Sequence, residues 1–144
     1  MLSTVSFVLT NNFIEYALPI RVFSGNIMEH PQARGRRVFR QRRFIRDHVR
    51  ILPSAHTYQI TMTRVGCKFL DGDNLGWGLK AFRDELSTLL GVRSDLDARW
   101  GGSIHWRNEQ EISVEEDSFR FALKIRIEPD SPPLLLRPAA HLKG

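Results

Sequence analysis

The chain lacks the features that several protein classes require. Its 144 residues include one cysteine, Cys67, so no internal disulfide can form. None of the five histidines stands at zinc-ligand spacing from Cys67 or from another histidine. No serine or cysteine lies in a nucleophile-elbow sequence, and no glycine-rich loop is of the kind that cradles phosphate. These absences argue against a disulfide scaffold, a zinc protein, an elbow-type hydrolase and a P-loop nucleotide-binding protein.

Long apolar runs are absent as well. No stretch reaches the length of a membrane span, and no basic-then-apolar segment opens the chain. A single cysteine also suits a reducing compartment. We therefore expect a cytoplasmic protein that does not associate with a membrane. With 42% hydrophobic and 26% charged residues, the composition is that of a soluble protein long enough for one domain with its own core.

Positive charge is concentrated in one segment. Residues 34–50 contain eight arginines against one acid, Asp47, a net charge of +7, so the rest of the +5 chain sums to −2. The segment predicts a helix that ends before Pro53. Val38, Ile45 and Val49 form its apolar seam. The opposite side carries the basic residues Arg36, Arg40, Arg43, Arg46 and Arg50.

Charged helix faces are often only solvated surfaces, and that interpretation stays open for this helix. Two details favour a binding surface. The basic side chains are all arginine, whose planar guanidinium suits phosphate. Acids are hardly interleaved, so the arginines repel one another unless an anion is present. We therefore predict that this helix binds a polyanion, most often nucleic acid, through its phosphates.

A second feature is the run Asp71-Gly72-Asp73-Asn74-Leu75, which follows a predicted strand. Residues 57–65 alternate between apolar and polar side chains, which predicts that half-buried strand. Apolar residues then recur at helical spacing, which predicts a helix over 74–90 with Asp73 or Asn74 as N-cap and Gly91 as C′ residue. Alternate side chains of an extended chain point the same way, so Asp71 and Asp73 are expected to converge.

Two carboxylates and an amide at a strand-to-helix turn suit Mg²⁺, which prefers oxygen ligands and keeps several waters. The simpler interpretation is a polar turn with a helix cap. Asp73, Trp77 and Lys80 share the helix face away from the apolar stripe. Glycines 76 and 78 cost about 1 kcal/mol each relative to alanine inside a helix, which indicates that another backbone approaches closely or that glycine is merely tolerated.

The other segments complete a predicted α/β (α+β) fold, with a small mixed sheet of about four strands packed against two main helices. Residues 4–10 predict a strand, and residues 11–33 predict a long loop with one short strand. Residues 104–114 and 119–127 predict a hairpin with its turn at 115–117. We expect one domain over 1–128, followed by a proline-rich tail over 129–144 that packs loosely or not at all.

The run Asp71-Gly72-Asp73-Asn74-Leu75, with Leu79-Lys80, Arg83-Asp84 and Leu90-Gly91-Val92 after it, resembles the RusA family of Holliday-junction resolvases, which carry an Asp-x-Asp-Asn-Leu motif. The arginine helix before the motif resembles that family as well, and the likeness covers about residues 30–127. The resemblance implies a homodimeric fold, dependence on Mg²⁺ with Mn²⁺ as a substitute, and paired nicks in branched DNA. It also implies that Asp71 and Asp73 ligate the metal.

Two departures from the family pattern matter. Family members carry a lysine four residues after the second aspartate, where this chain has Trp77, and Lys80 is expected to take its role. Members also carry an acidic pair after the helix, where this chain has Arg93-Ser94. Asp95 and Asp97 follow, about 25 Å away along the helix, so they reach the site only if the loop folds back or a second chain supplies them.

The expected site is therefore as follows. The predicted catalytic residues are Asp71, Asp73, Lys80, Asp95 and Asp97. The predicted metal ligands are Asp71, Asp73 and Asp95, and Asn74 joins the arginines in binding branched or duplex DNA. Two alternatives stay open: a nucleic-acid-binding protein of the same fold that has lost catalysis, and an RNA- or protein-binding module that uses the arginine helix.

Overall fold

A computed structural model describes residues 5–92, 97–98, 101–113, 121–131 and 133–140. In chain order the elements are β1 (Ser6–Leu9), β2 (Ile14–Leu18), α1 (Pro31–His48), β3 (Ile51–Pro53), β4 (Tyr58–Gly66), α2 (Gly72–Leu90), β5 (Ile104–Ile112), β6 (Ala122–Pro129) and β7 (Leu136–Pro138). A mixed five-stranded sheet has the order β1-β2-β6-β4-β5, and β3 pairs with β7 in a second sheet. The predicted α+β class is confirmed, with five strands in the main sheet.

Strand β4 pairs with a strand on each side. It pairs antiparallel with β6, where Ile60 faces Ile127, and parallel with β5, where Tyr58 faces Ile104. Strands β5 and β6 therefore flank β4, and the predicted hairpin between them is wrong. The α2 crossover returns the chain beside β4 in the same direction, which is the ordinary way to build a parallel pair. The turn predicted at 115–117 lies outside the described residues.

The core lies between one face of the main sheet and the two helices. On α2 the side chains of Leu79, Phe82 and Leu86 are fully buried, as the helical spacing predicts. Burial of each such side chain stabilises the fold by about 1.5–3 kcal/mol. The sheet contributes alternate residues to the same core: Ile14, Tyr16, Leu18, Tyr58, Ile60, Met62, Leu123, Ile125 and Ile127.

Helix α1 begins at Pro31, three residues before the predicted start. His30 is the N-cap, and its Nδ1 accepts a hydrogen bond from the Gln32 amide at 3.2 Å. Proline suits the first helical position because its missing N–H would have no partner there. Ile45 and Val49 are fully buried, which confirms that part of the predicted apolar seam.

The C-terminal segment is part of the fold. Strand β7 pairs with β3, with Ile51 opposite Pro138, and Ala139 is fully buried in the core. The expectation of loose packing is therefore wrong for residues 134–139, whose backbone also accepts a hydrogen bond from Ser54. Proline at both strands is tolerated because this sheet has only two strands, each with an open edge. Within the described residues, neither helix combines the length and the apolar character needed to cross a bilayer.

Candidate functional site

The loop between β4 and α2 is fixed by two side chains. Arg64 is 4% exposed and donates from Nη1 to the Lys68 carbonyl at 2.7 Å. Gln110 of β5 forms two hydrogen bonds of 2.8 Å with the Leu70 backbone, one from the Leu70 amide and one to its carbonyl. Burial lowers the pKa of the Arg64 guanidinium, yet arginine stays charged in proteins. These contacts place Asp71 at the end of a rigid connection.

Asp71, not Asp73 or Asn74, is the N-cap of α2. One Asp71 oxygen accepts a hydrogen bond from the Asn74 amide at 2.9 Å, and the other accepts one from Asn74 Nδ2 at 2.8 Å. The predicted N-cap is therefore wrong, because the helix starts at Gly72. Asp73 lies inside the helix, so the argument from alternate side chains on an extended chain does not apply to this pair.

The two carboxylates are suited to a weakly held hard cation. Both residues are exposed, Asp71 as the N-cap and Asp73 in the first turn of α2, and each Asp71 oxygen keeps a lone pair beyond its hydrogen bond. Mg²⁺ needs few protein ligands because it keeps its waters. Among the described residues, no group of three or more His, Cys, Asp or Glu side chains could hold a metal. A helix N-terminus also attracts anions, which suits a phosphate at the same turn.

Lys80 and Asp97 lie away from this turn. Lys80 is seven residues beyond Asp73, about 10 Å along the helix axis, and its ammonium pairs with Asp84 at 2.9 Å. Asp97 bridges to Ile104 at the start of β5, whereas Asp71 follows the end of β4, about 25 Å away. One chain therefore does not bring Asp97 to Asp71. Asp95 lies outside the described residues.

The arginines of α1 have acidic partners from other parts of the chain. Glu29 accepts a hydrogen bond from Arg37 Nε at 2.9 Å, which lowers the pKa of the Glu29 carboxyl. Glu85 of α2 is 1% exposed and accepts hydrogen bonds from Arg42 and Arg46, at 3.0 and 3.2 Å. The expectation of unbalanced arginines is therefore wrong for these residues, because sequence spacing does not show partners on other elements.

The predicted DNA-binding arginines fall into two groups, those that pair with an acid and those that do not. Arg46 is held by Glu85, whose hydrogen bond raises the pKa of the Arg46 guanidinium. Arg43 is exposed and forms a surface pair with Asp47 at 3.7 Å. Three predicted residues are exposed and form no ion pair with any acid in the described part of the chain: Arg36, Arg40 and Arg50. The exposed arginine face is therefore narrower than the sequence predicts.

Gly76 and Gly78 of α2 differ in the space around them. A Cβ at Gly78 would overlap the carbonyl oxygen of Phe23, whereas a Cβ at Gly76 would meet nothing within 4 Å. The Gly25 amide also donates to the Asn74 carbonyl at 2.9 Å. The segment around residues 23–25 therefore lies directly on the first turns of α2. Close approach of another backbone is confirmed at Gly78, and Gly76 is merely tolerated.

Sequence reasoning missed the residues that position the site. Arg64 follows Tyr58, Ile60 and Met62 at a spacing of two, so the alternation of β4 already places it on the buried side. A buried arginine needs several acceptors, which was the available signal. Gln110 gave no comparable signal, because its role depends on the parallel pairing of β4 with β5.

Comparison of the chain with protein-family models, with curated proteins and with solved structures found no match. The function of the chain is therefore inferred from its own residues and their geometry.

Proposed function

We propose that the chain is a Mg²⁺-dependent endonuclease of the RusA type that cleaves branched DNA such as Holliday junctions. The observation that supports this proposal is the exposed pair Asp71 and Asp73 at the start of α2, held by a fixed loop. Mg²⁺, or Mn²⁺ in its place, would supply a hydroxide nucleophile and stabilise charge on the phosphate. Asn74 orients Asp71 through two hydrogen bonds.

Binding would come from the exposed arginines of α1. Arg36 and Arg40 lie one turn apart on the surface, and Arg50 follows the end of the helix. Guanidinium contacts to phosphate supply affinity without reading sequence. Such contacts suit a protein that recognises the shape of a junction, since its arms present several backbones at once.

The first experiment is cleavage of a labelled four-way junction with and without Mg²⁺. Nicks that require the metal are expected on the proposed function. Binding without nicks would instead favour a nucleic-acid-binding protein that lacks catalysis. Two observations favour that second candidate: Trp77 stands where the RusA family has lysine, and Asp97 lies far from Asp71 in the same chain. Preference for RNA over junction DNA would contradict the nuclease proposal and favour an RNA-binding module that uses the arginine helix.

Salt dependence tests the role of α1. Replacing Arg36, Arg40 and Arg43 with alanine should reduce the slope of log affinity against log salt by about 2 to 3, because each lost phosphate contact contributes about 0.9. The measurement is fluorescence anisotropy with labelled junction in EDTA. The control variant removes three cations from the sheet, Arg107, Lys124 and Arg126, each of which has an acidic partner. An unchanged slope in the variant of Arg36, Arg40 and Arg43, equal to that of the wild-type chain, would show that α1 does not contact the phosphates.

Assembly is the next expectation. A four-way junction has two symmetric scissile sites, and one chain offers one carboxylate pair, so a C2 homodimer would supply both. A second copy could also bring Asp95 or Asp97 near Asp71, which one chain does not do for Asp97. Analytical ultracentrifugation at micromolar concentration should give twice the chain mass of 16.6 kDa. A monomer both alone and on junction DNA would contradict the resolvase proposal.

A further inference from the structure

A cleft of about 440 Å³ lies between the N-terminal halves of α1 and α2. This volume is within the range of small-ligand sites. Ser24 and Gly25 form one side of the cleft. Its other chemistry-bearing residues are three cations, an amide, an aromatic ring and an acid: Arg34, Arg37, Lys80, Gln41, Trp77 and Asp84.

Trp77 gives the cleft an aromatic wall. It is 71% exposed, which is high for so large an apolar side chain, and its Cβ lies against Gly25. Indole rings stack on nucleic-acid bases of any sequence, because every base presents a π-face. Stacking would remove much of this ring from water.

Gln41 gives the cleft an unsatisfied donor. The residue is 3% exposed, and its Oε1 accepts a hydrogen bond from Arg37 Nη1 at 3.3 Å, which fixes the amide orientation. Its Nε2 is buried and has no hydrogen-bond partner among the described residues. Buried polar groups in native proteins are nearly always paired. Gln41 lines the cleft, so a small movement of its side chain would let a ligand acceptor such as a base carbonyl or ring nitrogen satisfy this nitrogen.

The charge around the cleft favours an anion. Arg34, Arg37 and Lys80 face two acids, Glu29 and Asp84, so the balance is one positive charge. Arg34 is held only loosely, at 3.8 Å from Glu29, and its side chain is mostly exposed. Guanidinium and ammonium groups at the mouth of an aromatic-lined cleft match the phosphate of a nucleotide.

We propose that this cleft binds one unstacked nucleotide of a DNA strand, with its base against Trp77 and Gln41 and its phosphate at Arg34 and Lys80. The proposal depends on the DNA binding proposed above but not on catalysis. Trp77 lies one turn beyond Asp73, about 6 Å along α2. The bound nucleotide would therefore neighbour the phosphodiester held at Asp71 and Asp73.

The test uses two single-stranded oligonucleotides of equal length and charge, one with natural bases and one fully abasic. Both are titrated by fluorescence anisotropy in EDTA, so the result does not depend on nuclease activity. The wild-type chain should bind the strand with bases about tenfold more tightly, since stacking on one aromatic side chain is worth about that factor. Trp77→Ala should remove most of this difference, and Trp77→Phe should restore part of it.

The control variant is Phe7→Ala, which removes another exposed aromatic ring, 57% exposed on β1. It should keep the full preference for bases. Equal binding of both strands by the wild-type chain, or an undiminished preference in Trp77→Ala, would overturn the proposal. A free deoxynucleoside monophosphate that competes at the same concentration as the strand would also overturn the assignment to a strand. Cleavage in Mg²⁺ is measured separately. If the chain does not cleave DNA, the binding result can therefore still be interpreted.

Discussion

Gly78→Ala should lower the free energy of unfolding by about 2 kcal/mol, although alanine is the better helix former. The new methyl group would overlap the Phe23 carbonyl oxygen, and a backbone oxygen cannot rotate away as a side chain can. The segment around residues 23–25 or the helix must shift, and overpacking of this kind costs about 1–3 kcal/mol. Urea unfolding followed by circular dichroism gives the value, provided that the m-value is unchanged.

Gly76→Ala is the matched control, two residues away in the same helix. A Cβ there would meet nothing within 4 Å, so the substitution should stabilise the chain by about 0.5–1 kcal/mol through the lower entropy of the unfolded state. The two variants make the same chemical change with opposite expected signs. A similar effect at both positions would show that residues 23–25 do not pack on α2 as described.

The contrast between these glycines shows what the sequence could predict. Period and spacing predict which face of an element is buried, so α2 and β4 were predicted to within a few residues. They do not say which element covers that face. The cost of two helix glycines indicated a close neighbour, but only the fold shows that Phe23 lies over Gly78 and that Gly76 is open.

The prediction that β5 pairs with β6 was wrong for the same reason. Phe121, Leu123, Ile125 and Ile127 alternate, which predicts a half-buried strand in any sheet, and nearness in sequence suggested β5 as its partner. The helix between β4 and β5 indicated the correct pairing of β5, because a strand–helix–strand order favours a parallel pair. That pairing also brings Gln110 to Leu70, so an error in topology concealed a residue that positions the candidate site.

The sequence predicts how much positive charge residues 34–50 carry, but it does not predict which arginines are paired with acids. Eight arginines in residues 34–50 indicated a polyanion partner, yet Glu29 and Glu85 form ion pairs with four of them. Glu85 is buried whereas its two arginines are partly exposed, and removing either arginine would weaken the pairing of a buried carboxylate, which is costly. Arg42 and Arg46 are therefore structural, and the arginines left for the proposed contact with DNA are Arg36, Arg40 and Arg50, which are exposed.

Asp73→Asn should reduce junction cleavage at least about 10²-fold while binding stays equal or becomes tighter. If Asp73 ligates the catalytic cation, the amide removes the negative charge that holds it. Losing that charge also lessens repulsion of the DNA phosphates. The fold should survive, because Asp71 caps the helix and Asp73 does not. Loss of a first-turn carboxylate lowers the free energy of unfolding by only about 0.3–1 kcal/mol. The weaker repulsion of the Asp71 carboxylate in this variant offsets this loss.

The control is Asp130→Asn, which makes the same change of charge at an exposed residue just after β6. Pro129 pairs with Tyr58 at the start of β4, so Asp130 lies at the far end of the sheet from Asp71. It should cleave like the wild-type chain. Junction cleavage and the Mg²⁺-dependent shift in melting temperature are measured together for all three proteins. If Asp71 and Asp73 form only a capped turn, Asp73→Asn will match Asp130→Asn in both measurements, and the metal site must be abandoned.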